Sequence, residues 1–202
     1  MSSDFHTHNV NDERALVSAE RPIPGKLVSL EVHPWKINAD FELPADFAAE
    51  LERCAALGEV GYDPLRGDAA RQLELLPELL ELAAAAGKPA VLHLVRPTEA
   101  VFSILDRYPL KYLVHGFRGK AEKLAGYLAR GYFVSLGVRA LADPGVAEFL
   151  RSRGLERVGF ETDAAGGSIG EVLKLAASAL ERPDIEQATD TTFDEFLRGG
   201  KI

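Results

Sequence analysis

Residues 57–94 read LGEVGYDPLRGDAARQLELLPELLELAAAAGKPAVLHL, and this stretch decides the predicted fold. Two short apolar runs, residues 57–61 and 90–94, are typical of buried strands. Between them, residues 69–86 have the length and apolar spacing of a helix, and Gly87 follows as a typical helix end. A strand, a helix and a second strand in succession indicate a parallel β-α-β unit.

The same alternation continues along the chain. Strands are predicted at residues 3–7, 15–19, 27–32, 57–61, 90–94, 111–115, 132–136 and 157–161. Helices are predicted at residues 44–56, 69–86, 98–107, 120–130, 144–152, 169–181 and 185–198. Pro77 should kink the second of these helices or restart it, because proline lacks a backbone N–H. Eight strands alternating with helices predict an α/β fold of the TIM-barrel type.

The first third of the chain is short for such a barrel. Six residues lie between His8 and Ala15, and seven lie between Ala19 and Leu27, whereas a parallel crossover generally needs about a dozen. Either this third lacks outer helices or strand 15–19 runs antiparallel. We therefore predict an irregular, shortened TIM-like (β/α) barrel with minimal helices in the first third, forming a single domain over residues 1–202. Its thinly covered side could accept a second protomer, so we expect a monomer or a weak homodimer.

Composition and charge narrow the class of protein. The chain is 47% hydrophobic and 27% charged, which is typical of a globular protein. A net charge of −8 disfavours broad binding to duplex DNA, so a nucleic-acid substrate would have to be held locally. No apolar run approaches the ~18 residues of a membrane span, and residues 1–12 lack a signal-peptide pattern, so we expect a cytoplasmic protein. The only cysteine, Cys54, is predicted to be a small buried hydrophobe rather than a catalytic thiol.

Histidines and carboxylates recur where predicted strands end. His6 and His8 in DFHTH are two residues apart on a strand, so both side chains point to one side and could hold a metal ion. This motif alone is weak, since a solvated or packed pair fits equally well. Four more residues of ligand type have a similar placement, and they are Glu59, His93, His115 and Asp163. Singly, each could be a salt-bridged acid, a core histidine or a helix N-cap. Together they favour a metal centre, because crowded imidazoles and carboxylates are costly to desolvate unless a cation joins them.

The motifs in series resemble one family. In order, they are DFHTHN, EVHPW, GEVGYD, AVLH, VHGFRGKAEKLAGYLARGYFVSLG and FETD. This series resembles the TatD family of metal-dependent deoxyribonucleases, in particular a compact branch with a shortened first third, from about Asp4 to Phe196. The resemblance implies a distorted TIM barrel and two divalent ions, which could be Mg, Mn or Zn. It also implies the ligands: His6, His8 and Asp163 for one ion, His93 and His115 for the other, and Glu59 as a bridge between them.

Three stretches depart from the family pattern. Glu31 stands where the family often has glycine, which puts an acid near His33. Val95 stands where an arginine is common, and Arg96 follows one position later, so a substrate contact through Arg96 is in doubt. After Asp163 the chain continues AAGG, which predicts a more mobile loop and a more open pocket.

Several further residues could contact the substrate or support the ligands. Asp63 could orient a metal-bound histidine, or it could simply cap its loop. His33 and Trp35 could line the pocket, with Trp35 stacking on a base or merely packing beside Pro34. Arg118 could reach a phosphate or pair with a surface acid.

The function predicted from these residues is divalent-metal-dependent hydrolysis of phosphodiesters, with DNA or a small phosphodiester as substrate. A metal-activated hydroxide would attack, and Glu59 and Asp163 would act in catalysis, with Asp163 moving a proton. A second hypothesis is hydrolysis of an amide, ester or lactone on the same scaffold, since hydroxide is not selective by itself. A third is a metal-binding or scaffold protein without catalytic activity that descends from such an enzyme.

Overall fold

The computed structural model describes residues 2–165 and 167–198. Eight strands are present: β1 (Asp4–Thr7), β2 (Ala15–Ala19), β3 (Leu27–Leu30), β4 (Ala56–Tyr62), β5 (Ala90–Leu94), β6 (Tyr112–Val114), β7 (Phe133–Leu136) and β8 (Val158–Phe160). Their order in the sheet is their order in the chain. All eight predicted strands are thereby confirmed, two with unchanged bounds and six with bounds that differ by at most two residues at either end.

The helices are α1 (Phe47–Glu52), α2 (Ala69–Ala86), α3 (Glu99–Leu105), α4 (Ala121–Ala129), α5 (Val138–Leu141), α6 (Pro144–Arg153), α7 (Ile169–Leu180) and α8 (Ile185–Leu197), with a 3-10 helix at Pro34–Lys36. The sequence predicted all of them except α5 and the 3-10 helix. Helix α2 runs through Pro77 as one helix, so the restart considered for that position does not occur. The Asp68 carboxylate caps its N-terminus, and Gly87 closes it in the left-handed conformation at φ 66°.

The structure divides into two compact units. The first comprises Met1–Val17 and Leu113–Arg198, so it joins the beginning of the chain to its later half. In this unit β1 pairs with β2, β6 with β7, and β7 with β8, all in parallel. A parallel bridge from Thr7 to Asp163 and hydrogen bonds from Thr162 to Asp4 place β1 beside the end of β8.

Packing in the first unit is tight around β1. The Phe5 side chain is fully buried and meets the ring of Phe193 edge to face, with 5.2 Å between ring centroids. Gly159 of β8 has no room for a Cβ atom because the Phe5 ring occupies that position. This close approach explains a glycine in the interior of a buried strand.

The second unit spans Ser18–Tyr112 among the described residues. Here β3 pairs with β4 and β4 with β5, again in parallel, and the Glu31 N–H donates to the Ala19 carbonyl at 3.0 Å. Helix α2 covers β4 with an apolar face whose side chains are at most 1% exposed: Leu75, Leu76, Leu79 and Leu80. Cys54 is also buried, at 3% exposure, as the sequence predicted.

The first third of the chain has no outer helix between its strands. Residues 8–14 and 20–26, all described, contain none, and β1 and β2 are parallel. The alternative in which this third lacks outer helices is therefore confirmed, and the alternative in which strand 15–19 runs antiparallel is wrong. A short connection suffices because a four-residue strand spans only ~13 Å, whereas seven extended residues reach ~23 Å.

Among the described residues, no helix combines the length and the apolar character that crossing a bilayer requires.

Candidate metal centre

A cluster of ligand-type atoms lies at the end of β1, in the first unit. His6 is on β1, His8 directly follows it, and Asp163 follows β8. The Asp163 Oδ1 atom lies 3.8 Å from His6 Nε2 and 3.7 Å from His8 Nε2. The Asp163 N–H donates to the His6 carbonyl at 2.9 Å, which fixes the aspartate beside the strand. We call His6, His8 and Asp163 the β1 cluster.

The donor atoms of the β1 cluster fit a divalent cation. Two ligand atoms that each lie ~2.1 Å from one ion at a tetrahedral angle are ~3.4 Å apart, close to the separations observed. His6 is fully buried, whereas the side chains of His8 and Asp163 are 39% and 34% exposed. One face of the cluster is therefore accessible, as a catalytic site requires, and the other is anchored in the core.

Glu161 is a candidate that the sequence analysis missed. Its carboxylate is buried and accepts hydrogen bonds from Ser135 Oγ at 2.5 Å and from the Gly116 N–H at 2.6 Å. Ligand-type atoms of His115, Glu161 and Asp163 all lie within 4.8 Å of one another. Burial raises the pKa of Glu161 to about 7. In the sequence it is one more acid, in the motif FETD, and nothing in that motif shows that it is buried.

Asp4 stabilises the β1 cluster through hydrogen bonds to its neighbouring residues. Its carboxylate accepts from Thr162 Oγ1 at 2.6 Å, from the Thr162 N–H at 3.2 Å and from the His6 N–H at 3.1 Å. Burial raises the pKa of Asp4 to about 6. These bonds tie the strand that carries His6 to the segment that leads into Asp163.

A second cluster lies in the second unit, and it consists of His33, Glu59 and His93. Glu59 Oε2 is 3.4 Å from His33 Nε2 and 3.2 Å from His93 Nδ1. These separations also match two ligands of one ion. Glu59 lies in the middle of β4 and is 1% exposed, so the expectation that it ends a strand is wrong. The strand continues because Gly61 pairs with His93 at a point where a Cβ atom would collide with the His93 carbonyl. We call this group the β4 cluster.

Asp63 and Trp35 border the β4 cluster. Asp63 Oδ2 accepts from Trp35 Nε1 at 2.6 Å and lies 3.5 Å from His93 Nε2, while Oδ1 accepts from the Leu65 N–H at 3.0 Å. Asp63 therefore makes a contact that fits each of its two possible roles, orienting a histidine and capping a loop. Burial acts to raise the pKa of Asp63, but the hydrogen bonds from Trp35 and Leu65 outweigh it and hold the pKa below its usual value.

The two predicted arginines are at the surface. Arg96 is exposed, with a left-handed φ of 45°, and Arg118 is exposed as well. In the described part of the chain Arg118 forms no ion pair, so the surface-acid alternative finds no support there. The extra acid Glu31 accepts from Ser18 Oγ at 2.9 Å and pairs with Lys36 Nζ, which offsets the negative charge that it adds near His33.

Comparisons with known proteins agree on one family. Residues 5–165 match the family model described as TatD related DNase. A Schizosaccharomyces pombe protein named Deoxyribonuclease Tat-D is 30% identical over 153 residues. The alignment covers 66% of this chain and 49% of that protein, so the chain spans about half the length of this curated relative.

Solved structures share the fold. A TatD homologue from Escherichia coli K12, YjjV, aligns with a TM-score of 0.72 at 22% identity, over 91% of this chain and 86% of its own. A TatD-family hydrolase from Entamoeba histolytica aligns with a TM-score of 0.75 at 12% identity, over 96% and 95% of the two chains. An uncharacterized amidohydrolase from Saccharomyces cerevisiae aligns with a TM-score of 0.61 at 14% identity, over 76% and 72%. These likenesses confirm the predicted α/β fold of the TIM-barrel type.

Proposed function

The chain belongs to the TatD-related DNase family, and we propose that it is a divalent-metal-dependent hydrolase that cleaves phosphodiester bonds in DNA or in a small phosphodiester. The observation that carries the proposal is the presence of two clusters in which imidazole nitrogens lie 3.2 to 3.8 Å from a carboxylate oxygen. Neither cluster needs a ligand brought in from elsewhere to reach three donors.

We assign the ions to these donors. The β1 cluster would hold one ion through His6, His8 and Asp163, and Glu59 and His93 would contribute to a second. The assignments of His115 to the second ion and of Glu59 as a bridge remain predictions of the family resemblance. Imidazole-rich sites suit zinc or manganese, and the carboxylates also admit magnesium.

The residues of the chain have distinct tasks in this proposal. When bound, divalent ions would lower the pKa of a coordinated water molecule, and their positive charge would offset the negative charge of the phosphate. Asp163 accepts a proton, because its carboxylate is partly exposed at the accessible face of the β1 cluster. Glu161 and Asp4 hold the segment that leads into Asp163, since Glu161 accepts from the Gly116 N–H and Asp4 accepts from Thr162.

Three further parts of the proposal rest on the sequence. We propose that residues 1–202 act as one hydrolase domain, that the protein is a monomer or a weak homodimer, and that it works in the cytoplasm.

A reconstitution experiment tests the proposed activity. Protein stripped with a chelator is reloaded with Mg²⁺, Mn²⁺ or Zn²⁺ and assayed on single-stranded DNA, on a bis-nitrophenyl phosphodiester and on a panel of esters, amides and lactones. We expect metal-dependent cleavage of the phosphodiesters. Asp163→Asn should abolish it, and Asp184→Asn, at an exposed aspartate paired with Arg182, is the matched control.

Two results would overturn the proposal. Activity confined to carbonyl substrates would favour the amide, ester or lactone hypothesis. Fewer than one ion per chain after purification without chelators, together with no turnover, would favour a scaffold protein without catalytic activity.

A further inference from the structure

Trp35, the only tryptophan of the chain, lies beside the β4 cluster with much of its indole exposed. The side chain is 46% exposed, and its ring centroid is 4.8 Å from that of His33 and 5.7 Å from that of His93. The guanidinium of Arg66 lies over the indole, 4.0 Å from its centroid. Leu65, next to Arg66, is 61% exposed. An aromatic ring and a planar cation are thus stacked at one exposed position, and an exposed apolar residue is next to the cation in the sequence.

Hydrogen bonds from buried side chains hold Trp35 and Arg66 in place. Trp35 Nε1 is anchored on Asp63, so the indole has a fixed orientation. Gln72 is 1% exposed, and its Nε2 donates to the Pro34 carbonyl at 3.0 Å and to the Arg66 carbonyl at 2.7 Å. One buried amide therefore fastens the segment of Trp35 to the segment of Arg66, and a ligand would not have to order either of them.

Arg66 is also electrostatically available. Within residues 2–165 and 167–198 it forms no ion pair, in a chain whose net charge is −8. Because one plane of the guanidinium lies over the indole and the residue is exposed, its outer plane and its N–H donors are open to a ligand.

We propose that Trp35 and Arg66 form a stacking site for an unpaired nucleobase of the substrate, with the guanidinium also reaching the flanking phosphate. The inference rests on the proposed phosphodiesterase function and adds to it a pair of residues that would hold an exposed base beside the β4 cluster. Aromatic and guanidinium planes stack on bases without sequence preference, whereas a base inside a duplex cannot present its face. Local stacking also suits a protein whose charge disfavours the duplex backbone.

The first test follows the fluorescence of Trp35, which reports without turnover. Metal-loaded protein is titrated with a phosphorothioate oligothymidylate, chosen to resist cleavage, and with an abasic phosphorothioate strand of the same length. We expect the base-bearing strand to quench Trp35 and to bind about tenfold more tightly, the size of one base stack. Equal quenching and equal affinity for the two strands would overturn the proposal.

The second test compares the steady-state kinetics of an Arg66 variant on two substrates. Arg66→Ala should raise KM for single-stranded DNA about tenfold and leave KM for an abasic phosphodiester strand unchanged. Arg107→Ala is the matched control, because Arg107 is an exposed arginine of the same unit, and it should change neither value. Equal effects of Arg66→Ala on both strands would refute the stacking site while the phosphodiesterase function stands. Base-dependent quenching without any hydrolysis would support the stacking site and refute the function.

Discussion

Replacing Gln72 by methionine tests how the structure holds the segments around Trp35. The Gln72 amide has four polar contacts: its two N–H bonds are shared among the carbonyls of Pro34, Asp63 and Arg66, and its oxygen accepts from the Asp63 N–H at 2.8 Å. Methionine has a similar length and can fill the same space, but it provides none of these bonds. The substitution therefore isolates the polar contribution from the packing.

The expected loss is about 2 kcal/mol in the free energy of unfolding. Two donated hydrogens and one accepted hydrogen bond at about 1 kcal/mol each give about 3 kcal/mol, and burying the less polar thioether recovers about 1 kcal/mol. This cost is large because the abandoned Asp63 N–H and the carbonyls stay in a region where Gln72 itself is 1% exposed. Water cannot replace the lost partners without opening the loop.

Urea denaturation followed through Trp35 measures the loss in the unit that contains both residues. The folded variant should also show red-shifted emission, because the indole gains access to water when its segment loosens. Gln187→Met is the matched control at an exposed glutamine of α8, and it should change stability by less than about 0.5 kcal/mol. A loss below about 1 kcal/mol for Gln72→Met, with unchanged emission, would refute the reasoning.

Three further predictions follow from the packing and the clusters. Gly159→Ala should destabilise the protein by about 1–3 kcal/mol, because the added methyl group would collide with the Phe5 ring. Gly126→Ala, on an exposed helix face with open space, should instead stabilise the protein by about 0.5–1 kcal/mol. Thermal melts in which both substitutions change Tm in the same direction would contradict this prediction. Burial raises the pKa of Cys54 to about 11, so its alkylation by iodoacetamide in the native protein should reach half its maximal rate near pH 11, and a midpoint near pH 9 would show an accessible thiol. Metal loading should raise the Tm of the wild-type protein and raise it less in Asp163→Asn, because an ion that binds only the folded state stabilises it; equal shifts would remove Asp163 from the ligands.

The sequence predicted the strands because each is buried. Parallel strands that are covered on both faces appear as apolar runs, and β5 reads AVLHL with only one polar residue. The 3-10 helix and α5 were missed because three and four residues are too few to show a helical period. The restart at Pro77 did not occur, although proline usually weakens a helix interior, since α2 is held by its buried apolar face as well as by its own hydrogen bonds.

The sequence predicted those site residues whose position follows from one strand alone. His6, His8 and Asp163 were found because they stand where strands end, and the structure brings them together. Glu161 was missed because a buried acid is recognisable only from the Ser135 and Gly116 donors that satisfy it. Gln72 looked like an ordinary polar residue of α2, since its partners come from loops that the pattern of a single helix cannot position.

The pairing of the first strand with the last has a consequence for biosynthesis. At about 5–20 residues per second, a ribosome makes Thr162 roughly 8–30 s after Asp4, its hydrogen-bond partner 158 residues earlier. Residues 18–112, by contrast, are contiguous in the chain and are all made before Thr162. Strand β1 can pair with β2 early, but its bonds to Thr162 and Asp163 must wait, so His6 and His8 gain their carboxylate partner only in a polypeptide long enough to include Asp163. A truncated product would lack the β1 cluster however well its middle section folds, which confines the proposed nuclease activity to chains that have passed that point.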